Sequence, residues 1–359
     1  MLTVQGNPSQ MGAGYGRAFA DKIRRNIDIL VAREGSEPLP RQETRFIEWV
    51  EQQSAAIAHK WPWLVEEMEA VADAVGVEYQ EVLLLNLRAW QFEFYGPQPP
   101  LAACSSLAIE LSDGTVACAG ALDDPLEYYC GPVRYLPSEG YSLITFPITG
   151  TSWGNRGMNS VGLATGISSQ ILPGLRPLPG AINQDLALRI ILQTCATVKD
   201  VREFCKAYPF TMNIVCVDAQ GGAFCAQQTA AGLHELPAAD SCALTNHVVS
   251  DELRARLAAR GVTEFPESAT TRPRLKKLQD FAAARGGKCT AEEVKQLVGN
   301  RDDSDPGTIH NEGSIYITYS DPQADSHTLW ILQPQTRPGH SCRAPEVNAQ
   351  FEAYAVCDD

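Results

Sequence analysis

Residues 104–123 read CSSLAIELSDGTVACAGALD. A β-prone run from Ser105 to Leu111 meets Ser112-Asp113-Gly114, and a second run follows from Thr115 to Asp123. Asp-Gly between two such runs signals a tight turn, because Gly accepts positive φ and the Asp side chain closes on its own backbone. The stretch is therefore predicted as an antiparallel hairpin whose second strand returns Asp123 to the start of the first, beside Cys104. Small residues, Ala102, Ala103, Ser105 and Ser106, bound that cysteine and leave its thiol approachable, whereas a packing cysteine is more often flanked by bulky apolar neighbours.

Before the hairpin, residues 1–100 place apolar side chains at three-to-four spacing in MGAGYGRAFADKIRRNIDILVAREG, TRFIEWVEQQSAAIAHKW, LVEEMEAVADAVGV and YQEVLLLNLRAWQFEFYG, which predicts helices. After it come strand-like runs broken by turns, YSLITFPIT and GNRGMNSVGLATGIS, then one helix over about 181–207. Strands TMNIVCVDA and GGAFCAQQT follow, then helix-prone charged segments from 250 to 300, then strands GSIYITYSD and SHTLWILQP. Strands joined by tight turns imply antiparallel sheets, and helices in separate blocks imply layers on the outer sheet faces. The expectation is an α+β layered sandwich in a single domain, residues 1–359, with no repeat or long linker.

Composition narrows the function classes. With 44% hydrophobic and 20% charged residues the chain is globular, and a net charge of −14 repels a phosphate backbone, so nucleic acid is excluded as a partner. No apolar run approaches membrane-spanning length and no signal-peptide core opens the chain, so no membrane association and a cytoplasmic location are expected. The 11 cysteines include no C-x-x-C pair and the 6 histidines no H-x-x-x-H, which gives no metal site; all cysteines but Cys104 read as core, in a reducing compartment. Gly12-x-Gly14-x-Gly16 is one residue short of a dinucleotide fingerprint and no parallel β-α-β pattern follows it, so no cofactor is expected. Trp90-Gln91-Phe92-Glu93-Phe94-Tyr95 reads as helix core that places Tyr95 near the residues before Cys104.

The opening GNPSQMGAGYGRAFADKI, the segment EVLLLNLR, the hairpin with its following ALDD, the pair GNRGMNSVGLATG and LRPLPGAINQDLALRIIL, and LTNH together resemble the acyl-coenzyme A:6-aminopenicillanate acyltransferase family, a branch of the N-terminal-nucleophile hydrolases. The resemblance implies a four-layer αββα N-terminal-nucleophile sandwich. It implies self-cleavage between Ala103 and Cys104, giving an α chain of residues 1–103 and a β chain of 104–359 that form an α/β heterodimer. Cys104 would then be nucleophile and, through its new α-amino group, base, since such an amine titrates near ~7.7–8.0. Asp123 matches the aspartate that holds the amine, and Asn246 the asparagine that donates to the oxyanion. The implied reaction passes an acyl group, through a thioester, from an N-acyl amine or acyl-CoA to an amine or water.

Ser105 and Ser106, with Tyr95 and His310, are expected at the substrate; His310, in Gly307-Thr308-Ile309-His310-Asn311, stands where the penicillin enzyme has an arginine. Two departures accompany the match. Ala103 replaces the usual glycine before the nucleophile, and Gly120-Ala121 replaces an arginine or glutamine followed by asparagine, so two hydrogen-bonding side chains are missing near Asp123. Two rival readings keep the same fold: an unprocessed cysteine amidohydrolase using His310 or His247 as base, and a catalytically silent binding protein.

Overall fold

The computed structural model describes residues 1–32, 44–87, 104–124, 126–170, 182–229, 231–237, 241–262, 267, 269–302, 304–311, 314–323, 327–332 and 351–356. The expectations at Tyr95 and Ala103 lie outside the described residues. The N-terminal part runs β1 (Leu2–Gly6), α1 (Pro8–Ile27), α2 (Thr44–Lys60), α3 (Pro62–Val75) and α4 (Tyr79–Asn86). Then come β2 (Ser105–Glu110), β3 (Val116–Asp123), β4 (Val133–Pro137), β5 (Leu143–Thr145), β6 (Gly157–Asn159) and β7 (Ala164–Ser168). Helices α5 (Gln184–Thr194) and α6 (Val198–Ala207) precede β8 (Met212–Val217), β9 (Ala223–Thr229), β10 (Gly232–Glu235) and β11 (Ser241–Leu244). The chain continues through α7 (Asp251–Ala258), α8 (Thr271–Arg285), α9 (Ala291–Gly299), β12 (Ser314–Asp321), β13 (Thr328–Leu332) and β14 (Glu352–Ala355).

Two sheets form the centre. One has eight strands in the order β1-β4-β5-β6-β7-β8-β9-β10, the other six in the order β11-β2-β3-β12-β13-β14. Among the described residues every pairing of these strands is antiparallel except β1 with β4, an edge pairing that the hairpin signals do not announce. Strands β2 and β3 pack face to face on β7 and β8; α5 and α6 cover the outer face of the larger sheet, and α8 and α9 that of the smaller. This is the expected α+β sandwich, in four layers, with α1 to α4 grouped at the β1–β4 edge.

The central hairpin shows why both sheet faces are buried. Leu107, Ile109, Ala117, Ala119 and Ala121 point outward into an apolar cluster with Leu278 of α8 and Val294 and Val298 of α9. Ala108, Cys118 and Leu122 point the other way, into the core shared with the larger sheet. Side-chain period two thus feeds two cores from one hairpin, which is why its sequence is apolar on both faces.

Two expectations are corrected and one helix prediction is met. The single helix over 181–207 is two, because Thr197 caps a new start: its hydroxyl accepts from Asp200 N, and Asp200 reaches back to Thr197 N at 2.9 Å. The glycines at 12, 14 and 16 sit within α1, as the helical spacing predicts, capped by Asn7 and started by Pro8; Gly12 and Gly16 let α1 lie directly on α3, where a Cβ on Gly16 would fall 2.8 Å from Ala74 Cβ. Cys225 of β9 and Cys242 of β11, with Cα atoms 6.0 Å apart, form a disulfide across the two sheets and so are not packing thiols.

Candidate active site

The hairpin register, Ser105 opposite Ala121, brings Cys104 to the end of β3. Cys104 is 3% exposed, and its thiol donates to the backbone carbonyl of Asp123 at 3.8 Å. Burial, with the Asp123 carboxylate adding to it, pushes the thiol up to about 12, while Arg156 pulls it down.

Asp123 is fully buried and held from the neighbouring strand. Ser314, its register partner on β12, donates to Oδ1 at 2.6 Å, and Asn311 Nδ2 donates to Oδ2 at 2.8 Å. Burial raises the Asp123 carboxyl, against the pull of Arg274 and these two hydrogen bonds. A carboxylate offers about four lone-pair directions, so two donors leave acceptor capacity for an amine.

Asn246 follows β11, the strand paired with β2. Its backbone N–H donates to Thr271 Oγ1 at 3.0 Å, and Arg274 Nη2 donates to its Oδ1 at 3.1 Å. A guanidinium cannot accept, so the atom facing Arg274 is the oxygen; this fixes the amide and turns its NH₂ toward the Ser169 carbonyl, 3.1 Å away. Arg274 itself reaches inward from α8, and its Nη1 donates to the Cys104 carbonyl at 2.7 Å and to Ser105 Oγ at 2.6 Å. One side chain therefore ties the cysteine's own carbonyl to Asn246.

A second guanidinium lies beneath the strand starts. Arg156, just before β6, is 1% exposed, and its Nη2 faces the carbonyls of Ser105, Ala121 and Ile167 at 2.7, 3.0 and 3.1 Å and Ser106 Oγ at 3.0 Å. Sequence reasoning singles out neither arginine. Arg274 sits in TRPRLKK, which reads as a solvated helix face, and Arg156 in GNRGMN, which reads as a turn.

The remaining expected residues are placed as follows. Ser105 and Ser106 are fully buried, and their hydroxyls are engaged by Arg274 and by Arg156 and the Ile167 carbonyl, rather than lining an open surface. His310 is buried with Nδ1 on the Gly299 carbonyl at 2.7 Å, and it is the next residue, Asn311, that touches Asp123. His247 Nδ1 lies 3.0 Å from Thr271 Oγ1, and burial lowers its pKa to about 4. Among the described residues no group of three or more His, Cys, Asp or Glu side chains is placed to hold a metal, and no helix is long and apolar enough to cross a membrane.

A buried cysteine and a buried aspartate thus meet at the paired ends of β2 and β3, and Arg274 links the cysteine's carbonyl to the asparagine that follows β11. Residues 126–331, more than half the chain, match the acyl-coenzyme A:6-aminopenicillanic acid acyl-transferase family, and the chain belongs to that family. The matched span includes Arg156, Asn246 and Arg274; Cys104 and Asp123 precede it. No curated protein sequence matches the chain. Among solved structures, it is similar to a variant of the conjugated bile acid hydrolase of Clostridium perfringens, with 12% identity, TM-score 0.44, and 70% of this chain and 92% of that one covered. It is also similar to the Caenorhabditis elegans ortholog of N-acylethanolamine-hydrolyzing acid amidase, with 15% identity, TM-score 0.41, and 62% and 95% covered.

Proposed function

We propose that the chain is a self-processing cysteine acyltransferase or amide hydrolase with Cys104 as its nucleophile. In maturation, Cys104 Sγ adds to the Ala103 carbonyl, the Ala103–Cys104 C–N bond breaks, and its nitrogen remains on Cys104 as an α-amine. Water then hydrolyses the Ala103 thioester, releasing the thiol and a carboxylate on Ala103.

In turnover, the neutral α-amine takes the thiol proton, and the thiolate adds to the acyl carbonyl of an N-acyl amine or acyl-CoA. Asn246 donates to the oxyanion as charge develops, and the leaving amine or thiol departs with a proton. An amine or water then attacks the thioester and frees Cys104. Asp123, held by Ser314 and Asn311, keeps the α-amine oriented between these steps.

The observation that carries this reading is the convergence of Cys104, Asp123 and Asn246 through one hairpin and one arginine. The two histidines of the unprocessed alternative are held elsewhere, His247 by Thr271 and His310 by Gly299. Family membership supports acyl transfer as the reaction class. Denaturing gel electrophoresis with intact mass tests processing: the account expects two pieces, 1–103 and 104–359, and one uncut chain for Cys104→Ala. An uncut wild-type chain with full thiol-dependent turnover overturns self-cleavage, and wild-type activity in Cys104→Ala overturns the site.

A further inference from the structure

A buried arginine needs an anion or a full set of acceptors, because an unpaired charge in the interior is strongly destabilising. Arg156 has neither within hydrogen-bonding distance among the described residues. All its hydrogen bonds run through Nη2 to neutral oxygens, while Nη1 and Nε find no hydrogen-bond partner there. Gly120 of β3 leaves room beside it: a Cβ there would lie 2.7 Å from Nη1, and 2.0 Å from the Ser105 carbonyl oxygen that Nη2 also bonds. The guanidinium thus occupies side-chain space that the sequence leaves empty on β3, three residues before Asp123.

Its acceptors are the first residues of β2, the end of β3 and Ile167 of β7 across the sheets, so it sits under the segment that presents Cys104. The charges that act on that thiol are those of Asp123 and Asp124 from the end of β3, Arg156, and Arg274 from α8. Arg274 is already engaged by the Cys104 carbonyl, Ser105 and Asn246, and Asp123 by Ser314 and Asn311. Arg156 is the cation in this group with donors left over.

We infer that Arg156 is the positioning residue for the nucleophile: its charge stabilises negative charge on Cys104 Sγ, and its Nη2 contacts hold the strand starts that aim the thiol. The role rests on the reading of Cys104 as nucleophile, but concerns only ionisation of the thiol. The charge interactions agree in direction, since the Arg156 guanidinium lowers the Cys104 pKa against burial.

The test is the rate of Cys104 alkylation by iodoacetamide against pH, read by mass spectrometry of the Cys104 peptide. Half-buried Cys130 serves as internal reference for general loosening of the fold. Below its pKa a thiol reacts in proportion to its thiolate fraction, so a tenfold smaller fraction is a tenfold slower rate. Arg156→Met is expected to slow Cys104 alkylation about tenfold or more relative to Cys130 at each pH, and Arg156→Lys, which keeps the charge, to stay within about threefold of wild type. A wild-type rate in folded Arg156→Met overturns the inference. If Arg156→Met does not fold, Arg156→Gln, which keeps a donor and loses the charge, decides: a rate about tenfold slower supports the role of the charge, and a wild-type rate overturns it. Turnover is not measured, so failure of the proposed reaction shows separately, as activity surviving in Cys104→Ala.

Discussion

Two buried arginines mark two kinds of interior in this chain. Arg189 of α5 meets a carboxylate, Glu67 of α3, at 3.2 Å, bonds Gln193 one turn on, and lies over the rings of Trp63 and Tyr135. It joins helix to helix, and its anion is part of the fold. Arg156 meets only carbonyls and a hydroxyl among the described residues, at the start of the strand that carries Cys104. At Arg189 the countercharge is in direct contact; at Arg156 the Asp123 carboxylate acts without a hydrogen bond, and on the proposed reading the free donors serve the charge that forms on Cys104. Buried charges of the second kind are expected where function outweighs packing.

The comparison is sharpened first by Asp123→Asn, which removes the carboxylate proposed to orient the α-amine. It is expected to lower turnover by about 10²–10⁴, slow maturation, and shift the pH–rate profile, with thermal stability little changed because an amide can still bond Ser314 and Asn311. Unaltered pH dependence in fully processed material would move Asp123 to the structural class. The helical counterpart is Glu67→Ala, which strands Arg189 without its anion. The expected loss is about 3–5 kcal/mol in denaturant unfolding, with turnover per folded molecule unchanged. Equal loss of activity per folded molecule would break the division drawn here.

Asn246→Ala comes next. It is expected to cost about 10²–10³ in kcat with little change in KM, since its bond strengthens only as the oxyanion forms. A KM effect alone would assign Asn246 to substrate binding. The smallest effect belongs to His247, neutral in the fold with a pKa of about 4 against an unfolded value near ~6.5. Between these values the unfolded chain binds the extra proton, so stability falls as pH drops from about 6.5 to about 4 and is regained above that window. His247→Gln should flatten this part of a Tm–pH curve, and an unchanged slope would place the acid sensitivity elsewhere.

Much of this arrangement is legible in the sequence because local signals agree with it. Ser112-Asp113-Gly114 sets the hairpin register, and the register alone returns Asp123 to Cys104. Cys104, Asp123 and Asn246 are reached through resemblance to the family. What escapes is what depends on long-range placement. Arg274 acts 170 positions from Cys104 and Arg156 acts 51 from Ser105, and nothing local distinguishes either from a surface arginine. The Cys225–Cys242 bridge is likewise invisible, since those residues belong to strands of different sheets. The break at Thr197 is readable in principle: Thr-x-x-Asp is a capping signal that the apolar period on either side conceals. Segment 307–311 does contribute to the site, through Asn311 rather than His310, because the chain turns between them.

The central claim is that an acyl group passes through a covalent bond to Cys104. It is tested most directly by quenching processed enzyme in acid during turnover of an N-acyl amine or acyl-CoA substrate and mapping the retained acyl mass. The account predicts the added mass on the peptide beginning at Cys104, lost on treatment with hydroxylamine as a thioester is, and absent from Cys104→Ala. An acyl adduct on any other residue, or burst-phase turnover with Cys104 unmodified throughout, would contradict it.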